Sequence, residues 1–119
     1  MKAAQLENFI RIGGNISIAA LLCCATFASA STSDTFVDQH GLRFSQQSVS
    51  LKIGDTLHFH NSDDVIHNIM VLDSNDEAQD EGLQQPGEVI TRKFDQAGEY
   101  QVRCAIHPKM KMTVSVGAP

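Results

Sequence analysis

Cys104-Ala105-Ile106-His107-Pro108-Lys109-Met110, CAIHPKM, places a thiol, an imidazole and a thioether within seven residues near the end of the chain. Soft sulfur donors beside an imidazole suit a soft first-row metal better than a packed core. Two imidazoles, one thiolate and a distant thioether are a donor set that copper takes, so CAIHPKM supplies all but one imidazole. His67, in the apolar run VIHNIMVL, is the candidate for the second. Three ligands on one loop and a fourth far away in sequence form a site that only the folded chain assembles, which couples metal binding to folding.

Working outward from that loop, the flanking segments read as strands. Met112, Val114 and Val116 alternate with Thr113 and Ser115 after it, and Tyr100 and Val102 alternate before it. Further upstream, Val49, Leu51 and Ile53 keep the same period, as do Leu57 and Phe59 against Thr56, His58 and His60. Val65–Leu72 is apolar on both faces apart from His67 and Asn68, which predicts a buried strand that fixes His67 firmly. Phe36–Phe44 reads as a first strand interrupted at Gly41, 73–87 as a long polar connection, and Val89–Phe94 as a strand. The turns fall at Gly54-Asp55, Asn61-Ser62-Asp63-Asp64 and Asp95–Tyr100. With no helical pattern, the expected fold is all-β, a Greek-key β-sandwich or barrel of about six to eight strands.

The first thirty residues have a different character. Lys2 and Arg11 give a basic start, 16–27 is apolar, and Ala28-Ser29-Ala30 has the small-residue form that signal peptidases cleave. Residues 1–30 therefore read as a secretory signal peptide and 31–119 as the mature domain. The apolar run is too short for a bilayer anchor. Lipidation at Cys23 or Cys24 is the competing reading, but Leu22 and Cys23 stand where a small residue is wanted. Cleavage leaves Cys104 as the lone cysteine, so no internal disulfide forms, and its His and Met neighbours favour a bound metal over a free thiol. The mature part carries seven basic and thirteen acidic side chains, a formal charge of −6 that disfavours nucleic acid as a partner.

GDTLHFHNSD, then IHN, then FDQAGEY leading into CAIHPKM, in that order, resembles the cupredoxins, the small blue copper proteins that include plastocyanin, pseudoazurin and amicyanin. The resemblance spans Phe36 to Val116. It implies one type 1 copper ion held by His67, Cys104, His107 and Met110. The amicyanin loop pattern CxxHxxM ends at Met110, whereas the longer CxxHxxxxM pattern ends at Met112. Met110 is preferred, because Met112 already fits the apolar alternation of the last strand. Lys109 stands where amicyanin has an aromatic residue, so partner contacts do not carry over. By the same resemblance Asn68 ties the two ligand loops together, and His107 lies at the surface as the passage for electrons, with Pro108 and neighbouring apolar side chains as a docking rim.

The implied function is a periplasmic electron carrier, a monomer cycling Cu(I)/Cu(II) between redox proteins such as a cytochrome c or a periplasmic dehydrogenase or reductase. Four protein donors leave no open position for a substrate, which argues against an enzyme. A copper-trafficking protein without a relay role is the main alternative, and a structural zinc site on Cys104, His67 and His107 a further one. His58 and His60, two apart on one strand face, have a spacing that can hold a second metal, though solvent-facing side chains explain them as well. The acidic residues Asp73, Asp76, Glu77, Asp80 and Glu81 could form a recognition patch for a basic partner, but a solvated loop explains them more simply. Tyr100, Phe36, Phe44, Phe59 and Phe94 read as core, Tyr100 in the manner of a tyrosine corner.

Overall fold

A computed structural model of the chain describes residues 31–118 together with Ser29. The signal peptide assigned to 1–30 thus lies, but for Ser29, outside the described residues. Eight strands follow in order: β1 Asp34–Gln39, β2 Ser48–Lys52, β3 Thr56–Asn61, β4 His67–Leu72, β5 Ala78–Gln84, β6 Val89–Lys93, β7 Gly98–Arg103 and β8 Lys111–Gly117. They form two sheets, β1-β3-β6 and β2-β8-β7-β4-β5. The β1–β3 and β2–β8 pairs are parallel and the others antiparallel. This is the all-β sandwich expected from the alternation.

Period-two patterning decides which face is covered. Along β3, Leu57, Phe59 and Asn61 are buried while Thr56, His58 and His60 alternate with them at the other face. Met112, Val114 and Val116 do the same on β8. Their inward faces meet Val37, Ile69, Val71, Phe94 and Val102 in one core between the sheets. Each such side chain, fully removed from water, contributes on the order of 1.5–3 kcal/mol. Tyr100 donates its hydroxyl to the Gln96 carbonyl at 3.0 Å and sets its ring edge-on against Phe94, pinning the turn into β7. The tyrosine-corner reading is met by this geometry.

Three expectations are corrected. The stretch 73–87 is not all connection, because Ala78–Gln84 forms β5, an edge strand paired only with β4. Its exposed, polar residues carry no apolar alternation, so the pairing is made by the backbone and is silent in the sequence. A register shift between Ile69 and Met70 marks where β5 bulges. Phe36 is not core: it is 66% exposed and stacks on His58, with ring centroids 4.7 Å apart. Phe36 alternates with the buried Val37 and so lies on the outward face of the three-stranded sheet; its aromatic type alone suggests core. Finally, β1 stops at Gln39, and Phe44 rejoins it only through an isolated bridge.

Candidate metal centre

At one end of the sandwich β7 leaves its sheet after Arg103, where its last pairing with β4 is to Met70. The first residues of β4 therefore face the Cys104 loop instead of a strand. The loop closes on itself: the Cys104 N–H donates to the Met110 carbonyl at 3.1 Å, and the Met110 N–H to the His107 carbonyl at 2.8 Å. That closure sets Cys104 and Met110 side by side at the base of the loop with His107 at its tip. Both sulfur-bearing residues are about 1% exposed.

His67, Cys104 and His107 come together, with one possible donor atom from each lying within 4.8 Å of the others. Nδ1 of His67 is 3.1 Å from Nδ1 of His107, and Cys104 Sγ is 3.9 Å and 3.6 Å from those two nitrogens. A hydrogen bond between two neutral imidazoles would account for the shortest side alone. It does not account for a buried sulfur facing both nitrogens. The circle through the three atoms has a radius of about 2.1 Å, against roughly 2.0–2.1 Å for imidazole and roughly 2.3 Å for thiolate bonds to the neighbouring first-row ion zinc. The donors therefore fit one ion of that size, and two nitrogens with a thiolate match copper's preferences. Met110 is buried in the same loop, while Met112 sits in β8 opposite Val102, inside the core.

The surrounding hydrogen bonds explain why the donors point inward. His67 is fully buried, and its remote Nε2 lies 2.8 Å from the Asp63 carboxylate. A hydrogen bond from Nε2–H to Asp63 leaves the Nδ1 lone pair for a metal. Asp63 also accepts from the N–H groups of Gly41 at 2.6 Å and Leu42 at 3.0 Å, two residues with φ of 62° and 58°. A left-handed conformation is ordinary for Gly41 and costs Leu42 about 1–2 kcal/mol, which the carboxylate helps to offset. Burial works against ionising Asp63, but the hydrogen bonds from Leu42, His67 and Gly41 outweigh it and hold its pKa below the ordinary aspartate value.

Asn68 has the bridging position expected of it. Its backbone N–H points at Cys104 Sγ at 3.3 Å, its amide oxygen accepts the Ala105 N–H at 3.2 Å, and its amide nitrogen donates to Asp80 at 2.7 Å. The Gly82 N–H and Asn68 together hold the Asp80 pKa down. Asp63 and Asp80 were both missed by sequence reading. Asp63 was absorbed into a turn signal, although a carboxylate four residues ahead of a candidate ligand was available as a clue.

His58 and His60 do not join the site. Each is bonded to its neighbours, His58 Nδ1 to Thr91 Oγ1 at 2.9 Å and His60 Nδ1 to Asp38 at 3.0 Å. His58, with a side chain 19% exposed under Phe36, does not simply point to solvent. Among the described residues they form no metal-sized group.

The comparisons with known proteins point the same way. A family profile described as copper binding proteins, plastocyanin/azurin family, matches residues 31–117. The chain is 32% identical over 113 residues to the chloroplastic plastocyanin of Tetradesmus obliquus, spanning 88% of this chain and 77% of that protein. It is 25% identical over 114 residues to the methylamine utilization protein MauL of Methylorubrum extorquens, spanning 95% and 97%. Among solved structures, an amicyanin variant in its Cu(I) form superposes with a TM-score of 0.65 at 22% identity, covering 71% of this chain and 82% of that one. A reduced variant of amicyanin superposes at 0.66 and 23%, covering 76% and 88%.

Proposed function

This chain belongs to the plastocyanin/azurin family of copper binding proteins, and on that premise we propose that it is a periplasmic carrier of single electrons, with His67, Cys104, His107 and Met110 as its copper ligands. The observation that carries this reading is the triangle of two Nδ1 atoms and one buried sulfur. Bound copper supplies the Cu(I)/Cu(II) couple. The protein's part is to keep the donors still while the charge changes by one. Asp63 fixes the His67 ring, the Asn68 N–H fixes the Cys104 sulfur, and the loop's own hydrogen bonds fix Met110. With Met110 as a fourth donor beside Cys104 and both imidazoles, no position is left for a substrate, which supports a carrier and not a catalyst.

His107 alone of the four is partly exposed, among the exposed Leu42, Ile106, Pro108 and Lys109. Electrons pass most directly where the donor set comes nearest to solvent. The partners proposed are redox proteins such as a c-type cytochrome or a periplasmic dehydrogenase or reductase. Export by 1–30, with cleavage after Ala30, puts the mature chain in the periplasm. Among the described residues no helix is long and apolar enough to cross a membrane.

A trafficking protein is the second reading, and buried donors count against it because cargo must leave readily. Spectroelectrochemical titration of copper-loaded protein separates the two. A reversible one-electron wave, with copper retained against a Cu(I) chelator over hours, supports the carrier. Rapid surrender of copper without a reversible wave overturns it.

A further inference from the structure

The mature chain is an anion, yet its cations are unevenly used. Arg92 is paired with Glu81, and Lys93 with Asp95 at 3.0 Å. Arg43, Lys52, Arg103, Lys109 and Lys111 form no ion pair among the described residues. Three of these five, Arg43, Lys109 and Lys111, come to one place. Arg43 and Lys109 line a shallow depression with Leu42, Ile106 and Pro108, with His107 in its wall. The adjoining depression is again lined by Arg43 and Lys109, joined by Lys111.

Three separate segments contribute: the β1–β2 connection, the Cys104 loop and the start of β8. The apolar part is substantial, with Leu42 46% and Ile106 47% exposed. Two carboxylates near this end are engaged inward, Asp63 with His67 and the turn at Gly41, and Asp80 with Asn68, while Asp64 beside them is exposed. A charged partner at His107 therefore meets three free cations around an apolar contact.

We propose that this rim is a docking surface for a redox protein whose own contact face carries carboxylates around an apolar patch. The proposal rests on the electron-carrier reading and adds to it the sign of the partner. It separates local from total charge. With a screening length of roughly 8–10 Å at ordinary salt, a body seated at His107 responds to Arg43, Lys109 and Lys111 more than to acidic residues at the far end of the sandwich. A net charge of −6 predicts that a polyanion is repelled, whereas the rim predicts that it is attracted.

The test uses hexacyanoferrate(III), a small trianion, as oxidant. One electron leaves the reduced, copper-loaded protein for the ferric centre, giving hexacyanoferrate(II). Followed by stopped flow, the rate constant is expected to fall as ionic strength rises, the sign of attraction. Arg43→Glu with Lys111→Glu, both outside the donor loop and both exposed, is expected to slow the reaction at low salt by about tenfold and to invert its salt dependence. Lys52→Glu, an exposed residue at the end of β2 away from the rim, is expected to leave the rate within a factor of about two.

A rate that rises with salt in the unaltered protein, or a double variant no slower than Lys52→Glu, overturns the proposal. A second arm needs no copper. Redox-inert, paramagnetic hexacyanochromate(III) added to metal-free, nitrogen-15-labelled protein should broaden the amide signals of Leu42, Arg43, Ile106 and Lys109 first. Broadening centred elsewhere refutes the surface. A protein that never gains a reversible copper couple would instead sink the carrier reading and leave this second arm to judge the rim.

Discussion

Replacing Asp63 by alanine isolates the hydrogen bond that orients His67. Asp63→Ala removes three acceptor contacts, to His67 Nε2 at 2.8 Å and to the N–H groups of Gly41 and Leu42. The costs are unequal. Gly41 and Leu42 are exposed and can turn to water, but the His67 side chain is 0% exposed and cannot. A buried donor left without its partner costs about 1–3 kcal/mol. Loss of such an outer partner commonly weakens metal binding about 10–100-fold, or about 1.4–2.7 kcal/mol, which agrees with that range. Asp63→Asn keeps one acceptor oxygen and should fall at the mild end. Removing a negative charge beside a ligand should also raise the reduction potential in both variants, since the oxidised ion carries the larger positive charge. Cu(I) affinity measured by competition with a chelator, with the potential measured on the same samples, checks this. Affinity in Asp63→Ala within twofold of the unaltered protein, with an unmoved potential, would refute the claim that this carboxylate holds His67 for the metal.

Three further outcomes follow from the same geometry. If Met110 is the thioether ligand proposed, Met110→Leu should raise the reduction potential, while Met112→Leu, a volume-conserving change inside the core, should cost under about 1.5 kcal/mol in stability and leave the potential alone; the reverse pattern in voltammetry would assign the ligand to Met112. Asp80→Ala should loosen the Asn68 amide, read as faster hydrogen exchange at the Ala105 N–H in metal-free protein, and exchange as slow as before would contradict the bridge. The Asp55 carboxylate, which accepts the N–H groups of Lys52 and Ser33 at 2.8 Å each, has its pKa lowered by those bonds, so the folded state holds that proton less tightly than the unfolded chain. Its stabilisation is therefore complete above the ordinary value of 3.8 and lost as pH drops through the lower folded value. Urea unfolding of metal-free Asp55→Asn should show a smaller loss of stability between pH 5 and 3 than the unaltered chain, and equal losses would rule out this contribution.

Much of this was legible because the donors differ chemically from their surroundings. Cys104 and His107 stand within one short loop, and His67 interrupts an otherwise apolar strand, so residue type marks the three that come together, whereas choosing Met110 over Met112 takes the loop pattern. The alternation of Leu57 with Phe59, and of Met112, Val114 and Val116, likewise displays the covered faces directly. What stayed hidden depends on partners rather than composition. β5 is held by backbone bonds to β4 and shows no apolar period. Phe36 lies opposite the core face of β1, where an aromatic residue gives no sign of which way it points. Asp63 and Asp80 lie in segments that read as turn and solvated loop, and only the folded chain turns them onto His67 and Asn68. The gathering of Arg43 with Lys109 and Lys111 crosses nearly seventy residues of sequence and has no local signature.

The account depends most on Cys104 being bonded to the ion that changes charge. Optical and electron paramagnetic resonance spectra of the Cu(II)-loaded protein, beside those of Cys104→Ser, test this directly. The account predicts an intense visible charge-transfer band with one copper per chain, and a variant that still binds copper loses that band entirely. A Cu(II) protein with only faint colour, or a band that survives in Cys104→Ser, would contradict it.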